Sequence, residues 1–373
     1  EASISPQNTW HKKISIDAIQ LSDHPLTLKV KDAQGKELLT YTHDTSPYKD
    51  SFIESETPSP PVTADDLYHL GLKHENFDDR AQALDSYRKA ISISEEHGPS
   101  HFQLGLMLLR SADIDAAAHH FRWAADLGIN SANYYLGLIA WYRDDSAAAE
   151  KLFQTIAAED PLALATLYRR VAISFKNADW KNAIELIRNF TSGDNDHPVI
   201  QLLLGTTNLR MGNLEKGQEQ IGGFLEFDPL NLLALNELSN LESGNNTPVT
   251  DKLNRLLADD DQYVLDLACF YLDLGLREDA IRVLKNSESD WQYAPRDYLL
   301  AYLHESDHES ASWRARAQEL KPDYVFPSRL WEILAIQDAL EADPDNYQAK
   351  YFLGNFYYSR QRYDEAVQLW EEA

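Results

Sequence analysis

His304-Glu305-Ser306-Asp307-His308 has the spelling H-E-x-x-H, in which two histidines one helical turn apart hold zinc and the glutamate acts as base. That chemistry needs one continuous helix. Counting back from Pro322 puts these residues at a turn between two helices, among the solvent-type residues Ser306, Asp307, Glu309 and Ser310, so a polar turn is expected and no metal ligand is assigned. His119 and His120 are neighbours on one helix and point apart, so they cannot chelate one ion together. Asp194-Asn195-Asp196 lacks the glycine and distal glutamate of a calcium loop. Glu159-Asp160 and Asp259-Asp260-Asp261 read as loops at helix ends rather than paired catalytic carboxylates. No G-x-S-x-G, phosphate loop or G-x-G-x-x-G occurs. No catalytic residue and no cofactor is assigned to this chain.

Composition narrows the partners. The 373 residues exceed one compact core, so several domains or a repeat array are expected. Hydrophobic content of 43% and aromatic content of 11% are globular values. A net charge of −26 argues against binding a phosphate backbone or an anionic membrane surface. It serves solubility, or selects a basic partner. One cysteine, Cys269, excludes an intrachain disulfide and fits a reducing, cytoplasmic setting. Its apolar neighbours Ala268 and Phe270 place it in the core. No apolar run is long enough to span a membrane, and the first 30 residues form no signal peptide.

Residues 1–42 stand apart from the rest. Lys13–Ile19 alternates apolar and polar, as a half-buried strand does. Leu26, Leu28 and Val30 alternate likewise; Asp32–Gly35 supplies turn chemistry before Leu38–Tyr41, and the whole predicts a β-hairpin. Residues 43–62 carry Pro47, Pro58, Pro60 and Pro61 among Ser, Thr and acids, which marks a linker. Thr63 followed by Asp65 and Asp66 starts a helix.

From there one unit recurs. Leu70-Gly71, Ala83 and Tyr87 are matched by Leu104-Gly105, Ala117 and Phe121, then by Leu136-Gly137, Ala149 and Phe153. Leu204-Gly205 with Gly212, and Leu353-Gly354 with Ala366 and Trp370, repeat it later. Divergent units fall around Ala183, over 232–260, around Ala268 to Leu284, and before Pro322, and residues 329–344 supply a helix that ends at Asp343-Pro344. The pattern resembles the tetratricopeptide repeat (TPR), a helix-turn-helix unit of about 34 residues. The resemblance implies an all-α, right-handed α-solenoid of roughly eight to nine units over 63–373, with a short N-terminal β segment. Gly and Ala are expected where paired helices cross, and Tyr87, Phe121, Phe153 and Trp370 are expected to fill the gap to the next unit.

An aromatic column recurs on the first helices: Tyr68, Phe102, Tyr134, Tyr168 and Tyr351, with Trp141 and Tyr142 along the same helix as Tyr134. In such arrays that column faces the concave groove, where aromatics anchor a peptide or stack on sugar rings, unless they pack against the neighbouring unit. The basic clamp for a carboxylate-ended chaperone tail is absent, since Tyr68, Leu72, Phe102 and Leu106 occupy its positions.

A narrower resemblance rests on Leu28–Tyr41, Leu67–Gly71, Asp323–Leu330, Tyr351–Asn355 and Arg362–Trp370. Together they are similar to large bacterial proteins in which a β-rich domain of unknown function precedes TPR units and which are associated with carbohydrate use. It implies that 1–42 is the tail of a larger β domain and that sequence continues on both sides. The start at Glu1 and the end at Ala373, inside what should be a second helix, agree with that expectation. The resulting reading is a non-catalytic scaffold for a protein or peptide. The alternative is the helical region of a carbohydrate-active or carbohydrate-binding protein whose active site lies upstream, with a glycan or a second copy as further candidate partners.

Overall fold

The computed structural model describes residues 27–31, 34–42, 63–191, 197–241, 247–259, 262–286, 292–304 and 306–373, in two compact units, 1–62 and 63–373. In the first unit β1 (Thr27–Lys31) and β2 (Glu37–Thr42) form an antiparallel pair, with Leu28 opposite Tyr41 and Val30 opposite Leu39. Gly35, at φ 84, takes the turn conformation that an L side chain disfavours. Leu28, Leu38, Leu39 and Tyr41 are all more than half exposed, so this ribbon has no buried face of its own. The strand expected over Lys13–Ile19, the linker 43–62 and Asp194–Asp196 lie outside the described residues.

The second unit holds nineteen helices among its described residues. They come as antiparallel pairs: α1 (Ala64–Asn76) with α2 (Arg80–Ile93), α3 (Gly98–Arg110) with α4 (Ile114–Asp126), α5 (Ala132–Tyr142) with α6 (Ser146–Phe153). Next are α7 (Ala163–Lys176) with α8 (Trp180–Thr191), α9 (Pro198–Arg210) with α10 (Leu214–Phe227), and α11 (Leu232–Ser239) with α12 (Pro248–Asp259). Then follow α13 (Gln262–Asp273) with α14 (Arg277–Asn286), α15 (Ala294–Leu303) with α16 (Asp307–Glu319), α17 (Leu330–Ala342), and α18 (Tyr347–Ser359) with α19 (Tyr363–Glu372). Helix α17 has no antiparallel partner preceding it; residues 320–329 run without helix, and α17 packs on α15.

Local chemistry sets the turns. Thr63 caps α1 through a capping box with Asp66. In each of the first pairs the first helix ends on a left-handed residue, Asp78, Ala112 or Asp144 at φ 57, 56 and 66. An aspartate then follows, Asp79, Asp113 or Asp145, whose carboxylate accepts from the first turn of the second helix. Gly212 and Gly275 take the left-handed place in later pairs.

The small positions are buried as their spacing requires: Ala83, Ala117, Ala149, Ala183, Ala280 and Ala366 are fully inaccessible. The large positions do something the sequence did not indicate. The rings of Tyr87, Phe121, Phe153 and Trp370 lie over Gly71, Gly105, Gly137 and Gly354 of their own units, where a Cβ would collide with them. The expected packing towards the next unit stands beside this contact, since Tyr87 clusters with Leu104 and Met107, and Phe153 with Ala172 and Ile173, of the units that follow. A ring can enter the crossing of two helices only where the facing residue has no side chain. Phe121 does both, since its other face stacks on Tyr135 of the following unit at 5.0 Å. A Cβ at Gly105 would stand 2.8 Å from Phe121 Cε1. Gly105→Leu is accordingly expected to destabilise by about 1–3 kcal/mol or more, read from the urea midpoint, and an unmoved midpoint would contradict this packing.

The array bends far enough for distant units to touch. Arg169 of α7 donates to the Asp273 carbonyl at 3.1 Å and lies 3.3 Å from its carboxylate. Arg362, in the turn of the last pair, donates to the Ser111 carbonyl in the turn of the second pair at 2.8 Å. One continuous apolar core accordingly joins Ala112 to the buried residues from Leu167 to Phe356.

Candidate functional site

The bend encloses a cleft of about 660 Å³. One wall is built from the ends of first helices: Trp141 and Tyr142 from α5, Lys176 from α7, Arg210 from α9. The other comes from the corner between α13 and α14 and from Trp331 at the start of α17. Gly275 makes that corner possible. It stands so close to α7 that a Cβ there would lie 2.5 Å from the Ala172 carbonyl oxygen and 3.1 Å from the Trp141 ring.

Asp273 ties the walls together. Its carboxylate accepts from Trp331 Nε1 at 3.1 Å as well as facing Arg169, and the Trp331 ring meets Tyr142 edge-on at 5.2 Å. Burial first, and then the Asp273 charge, push the Tyr142 and Tyr168 phenols well above their usual range, so both stay neutral donors. Beneath the cleft Arg210 reaches Glu237 at 2.8 Å and Asp279 at 3.3 Å, and Tyr271 donates to Glu237 at 2.8 Å. Glu237 is 1% exposed; burial raises its pKa against the pull of Arg210 and the Tyr271 hydroxyl.

The seven aromatics of the column are placed unequally. Trp141, Tyr142 and Tyr168 gather around the Asp273 corner, where Trp141 and Tyr142 line the cleft. Tyr68 packs on Tyr87 and His97, Phe102 on Phe121 and Tyr135, and Tyr134 on Phe153. Tyr134 and Trp141 are only 8% and 5% exposed, so truncating them removes core packing along with any contact to a ligand. Tyr351 sits on α18 beside Phe352, and its carbonyl faces Trp370 Nε1 at 3.4 Å. Trp331, Asp273, Arg169 and Arg210 are the residues that sequence reasoning missed. Nothing in the local pattern marks them, because they reach the cleft through contacts between units far apart in the chain.

The other candidates resolve simply. His304 closes α15 and His308 lies in α16, so the two histidines do not share a helix; His304 Nδ1 faces Glu309 at 3.3 Å. His120 bonds with His101: their Nδ1 atoms are 2.9 Å apart, and His101 Nε2 faces the Glu95 carbonyl at 3.0 Å, while the His119 ring meets His120 only edge-on. The geometry fits a neutral pair in which His101 Nε2–H donates to the carbonyl and its Nδ1 accepts from His120. Burial lowers both pKa values, that of His120 to about 4, which keeps the pair uncharged at neutral pH. Among the described residues no group of three or more His, Cys, Asp or Glu could hold a metal ion. Cys269 is half-buried, and burial pushes its thiol far up, away from reactivity. No helix among the described residues is long and apolar enough to cross a membrane.

Comparison with known proteins agrees with the repeat reading. Residues 102–163 and 333–373 match the family model of the tetratricopeptide repeat. No curated protein sequence matches the chain. Among solved structures the chain is similar to YrrB, described as a TPR protein with an unusual peptide-binding site, at 17% identity and TM-score 0.40 over 47% of this chain and 92% of that one. It is also similar to a tetratricopeptide repeat protein from Parabacteroides merdae, at 11% identity and TM-score 0.42 over 79% and 98%. For yeast Tom70 the values are 17% and 0.38 over 75% and 55%. The helical unit is thus an α-solenoid carrying tetratricopeptide repeats, and a two-stranded β segment precedes it in sequence.

Proposed function

We propose that this chain is a non-catalytic scaffold that binds a protein or peptide partner in the cleft between its early and late repeats. The observation that carries the reading is the cleft itself: about 660 Å³, walled by six aromatic side chains from repeats far apart in sequence. Aromatic walls of this kind anchor a partner at small conformational cost. Trp141 and Tyr142 belong to this site and Tyr168 stands behind it near Asp273; Tyr68, Phe102, Tyr134 and Tyr351 support the helices that carry it or lie on the last unit. The single cysteine suits a reducing compartment such as the cytoplasm. The carbohydrate-linked alternative, a glycan partner, self-association and the narrower bacterial resemblance rest on sequence pattern alone and are not proposed.

The test is affinity capture from a cell lysate with the parent chain and with Trp331→Ala, which removes a partly buried ring that lines the cleft and packs against the core. The expected result is a partner retained by the parent and lost from a variant whose melting curve keeps its cooperative shape. Equal capture by both, or none by either, would overturn the reading.

A further inference from the structure

The cations that line the cleft are turned onto the chain's own acceptors. Lys176 Nζ pairs with the Asp144 carboxylate and donates to Ser146 at 3.0 Å. Arg210 is held by Glu237 and Asp279, and Arg277 Nε donates to the Leu303 carbonyl at 2.9 Å. Of the carboxylates there, Asp279 is held by Arg210 and Arg282, and one is uncommitted. Among the described residues Glu278, in the first turn of α14, has no hydrogen-bond or ion-pair partner, and the Asp144 side chain is 76% exposed beside its one lysine. Lys176 Nζ lies 5.6 Å from the Trp141 ring centroid, so a cation over an aromatic face already exists in this space. Around it stands a chain of net charge −26.

Resting on the peptide-binding reading, we propose that the occupant of this cleft is a basic peptide, entering with an arginine or lysine side chain. Tyr142 and Trp331 offer their rings to its charge, and Glu278 supplies the counter-charge, with exposed Asp144 beside Lys176 adding to the negative field. An acidic peptide would meet cations that are already neutralised and a repelling field, which raises the barrier to encounter. An uncharged peptide would keep the ring contacts and lose the charge contacts.

Three fluorescein-labelled nonapeptides with an Ala, Gly and Ser framework test this by anisotropy on the full chain, carrying Arg-Leu-Arg, Gln-Leu-Gln or Glu-Leu-Glu at the centre. The arginine peptide is expected to bind about tenfold or more tightly than the glutamine peptide, and the glutamate peptide most weakly. Glu278→Gln should weaken the arginine peptide severalfold, whereas Glu226→Gln, the same charge change on exposed α10 surface, should not. Equal affinities, a preference for the glutamate peptide, or equal effects of the two substitutions would overturn the charge assignment. If none of the peptides binds while capture still yields a partner lost in Trp331→Ala, the charge assignment falls and the peptide-binding reading stands. If capture fails as well, both fall.

Discussion

Replacing Gly275 by alanine is expected to destabilise the helical unit by about 2–5 kcal/mol, from a left-handed backbone penalty of about 1–2 kcal/mol and an overpacking cost of about 1–3 kcal/mol. The backbone sits at φ 73, and the added Cβ would stand 2.5 Å from the Ala172 carbonyl oxygen and 3.0 Å from Lys176 Cβ. A backbone oxygen in the middle of a helix cannot step aside as a flexible side chain can. Gly212 provides the comparison: its φ is 81, yet a Cβ there would meet nothing within 4 Å. Gly212→Ala should therefore lose only the backbone part, about 1–2 kcal/mol. Urea unfolding of the two variants separates strain from contact. Equal losses would mean that the α13–α14 corner does not press on α7.

Glu332→Ala is expected to cost about 3–5 kcal/mol, the range for breaking one side of a buried charged cluster. Glu332 has no exposed surface. Its carboxylate accepts from the Tyr293 hydroxyl at 3.0 Å and from the backbone amides of Ser328 and Arg329 at 3.2 and 3.0 Å, and Arg329 Nη1 lies 3.3 Å away. Alanine removes the acceptor these donors share, and each buried group left unsatisfied costs about 1–3 kcal/mol. Glu332→Gln keeps an acceptor and should recover part of the loss. Arg329 also reaches Asp266 at 2.6 Å and Gln262 at 2.8 Å, so it holds the start of α17 against α13. A loss below about 1 kcal/mol for the alanine variant, by the same urea assay, would show that water already serves these groups.

The repeat was legible because its signal is local. A glycine, an alanine twelve residues on and a ring four further report a crossing within one helix pair, and Gly105, Ala117 and Phe121 place that crossing without any knowledge of the rest. The contact of each ring with its own glycine was not legible, since a large residue over its own glycine and one in the next gap share the same spacing. The turn aspartates Asp79, Asp113 and Asp145 were equally readable in principle, each being an N-cap residue ahead of an apolar period. The cleft was only half visible. Trp141 and Tyr142 stood out as aromatics on a first helix, but Asp273 and Trp331 face them only because the array bends, and no periodicity within α13 or α17 encodes that. Helix α17 was legible from its end at Asp343-Pro344, but the 320–329 segment stands where a first helix would precede it, so repeat counting loses its frame there.

The contact between Arg362 and Ser111 joins residues 251 positions apart, and that between Arg169 and Asp273 joins residues 104 apart. An open repeat array folds and melts unit by unit, each unit answering only to its neighbours. Here the early units gain part of their environment from chain that leaves the ribosome much later, and contacts of such separation form slowly. During synthesis α5 and α7 can pair with their own partners while the opposite wall has yet to be made. The cleft is therefore among the last things this chain acquires, completed only once translation has passed Trp331, and a partner that requires both walls cannot engage the nascent chain before then.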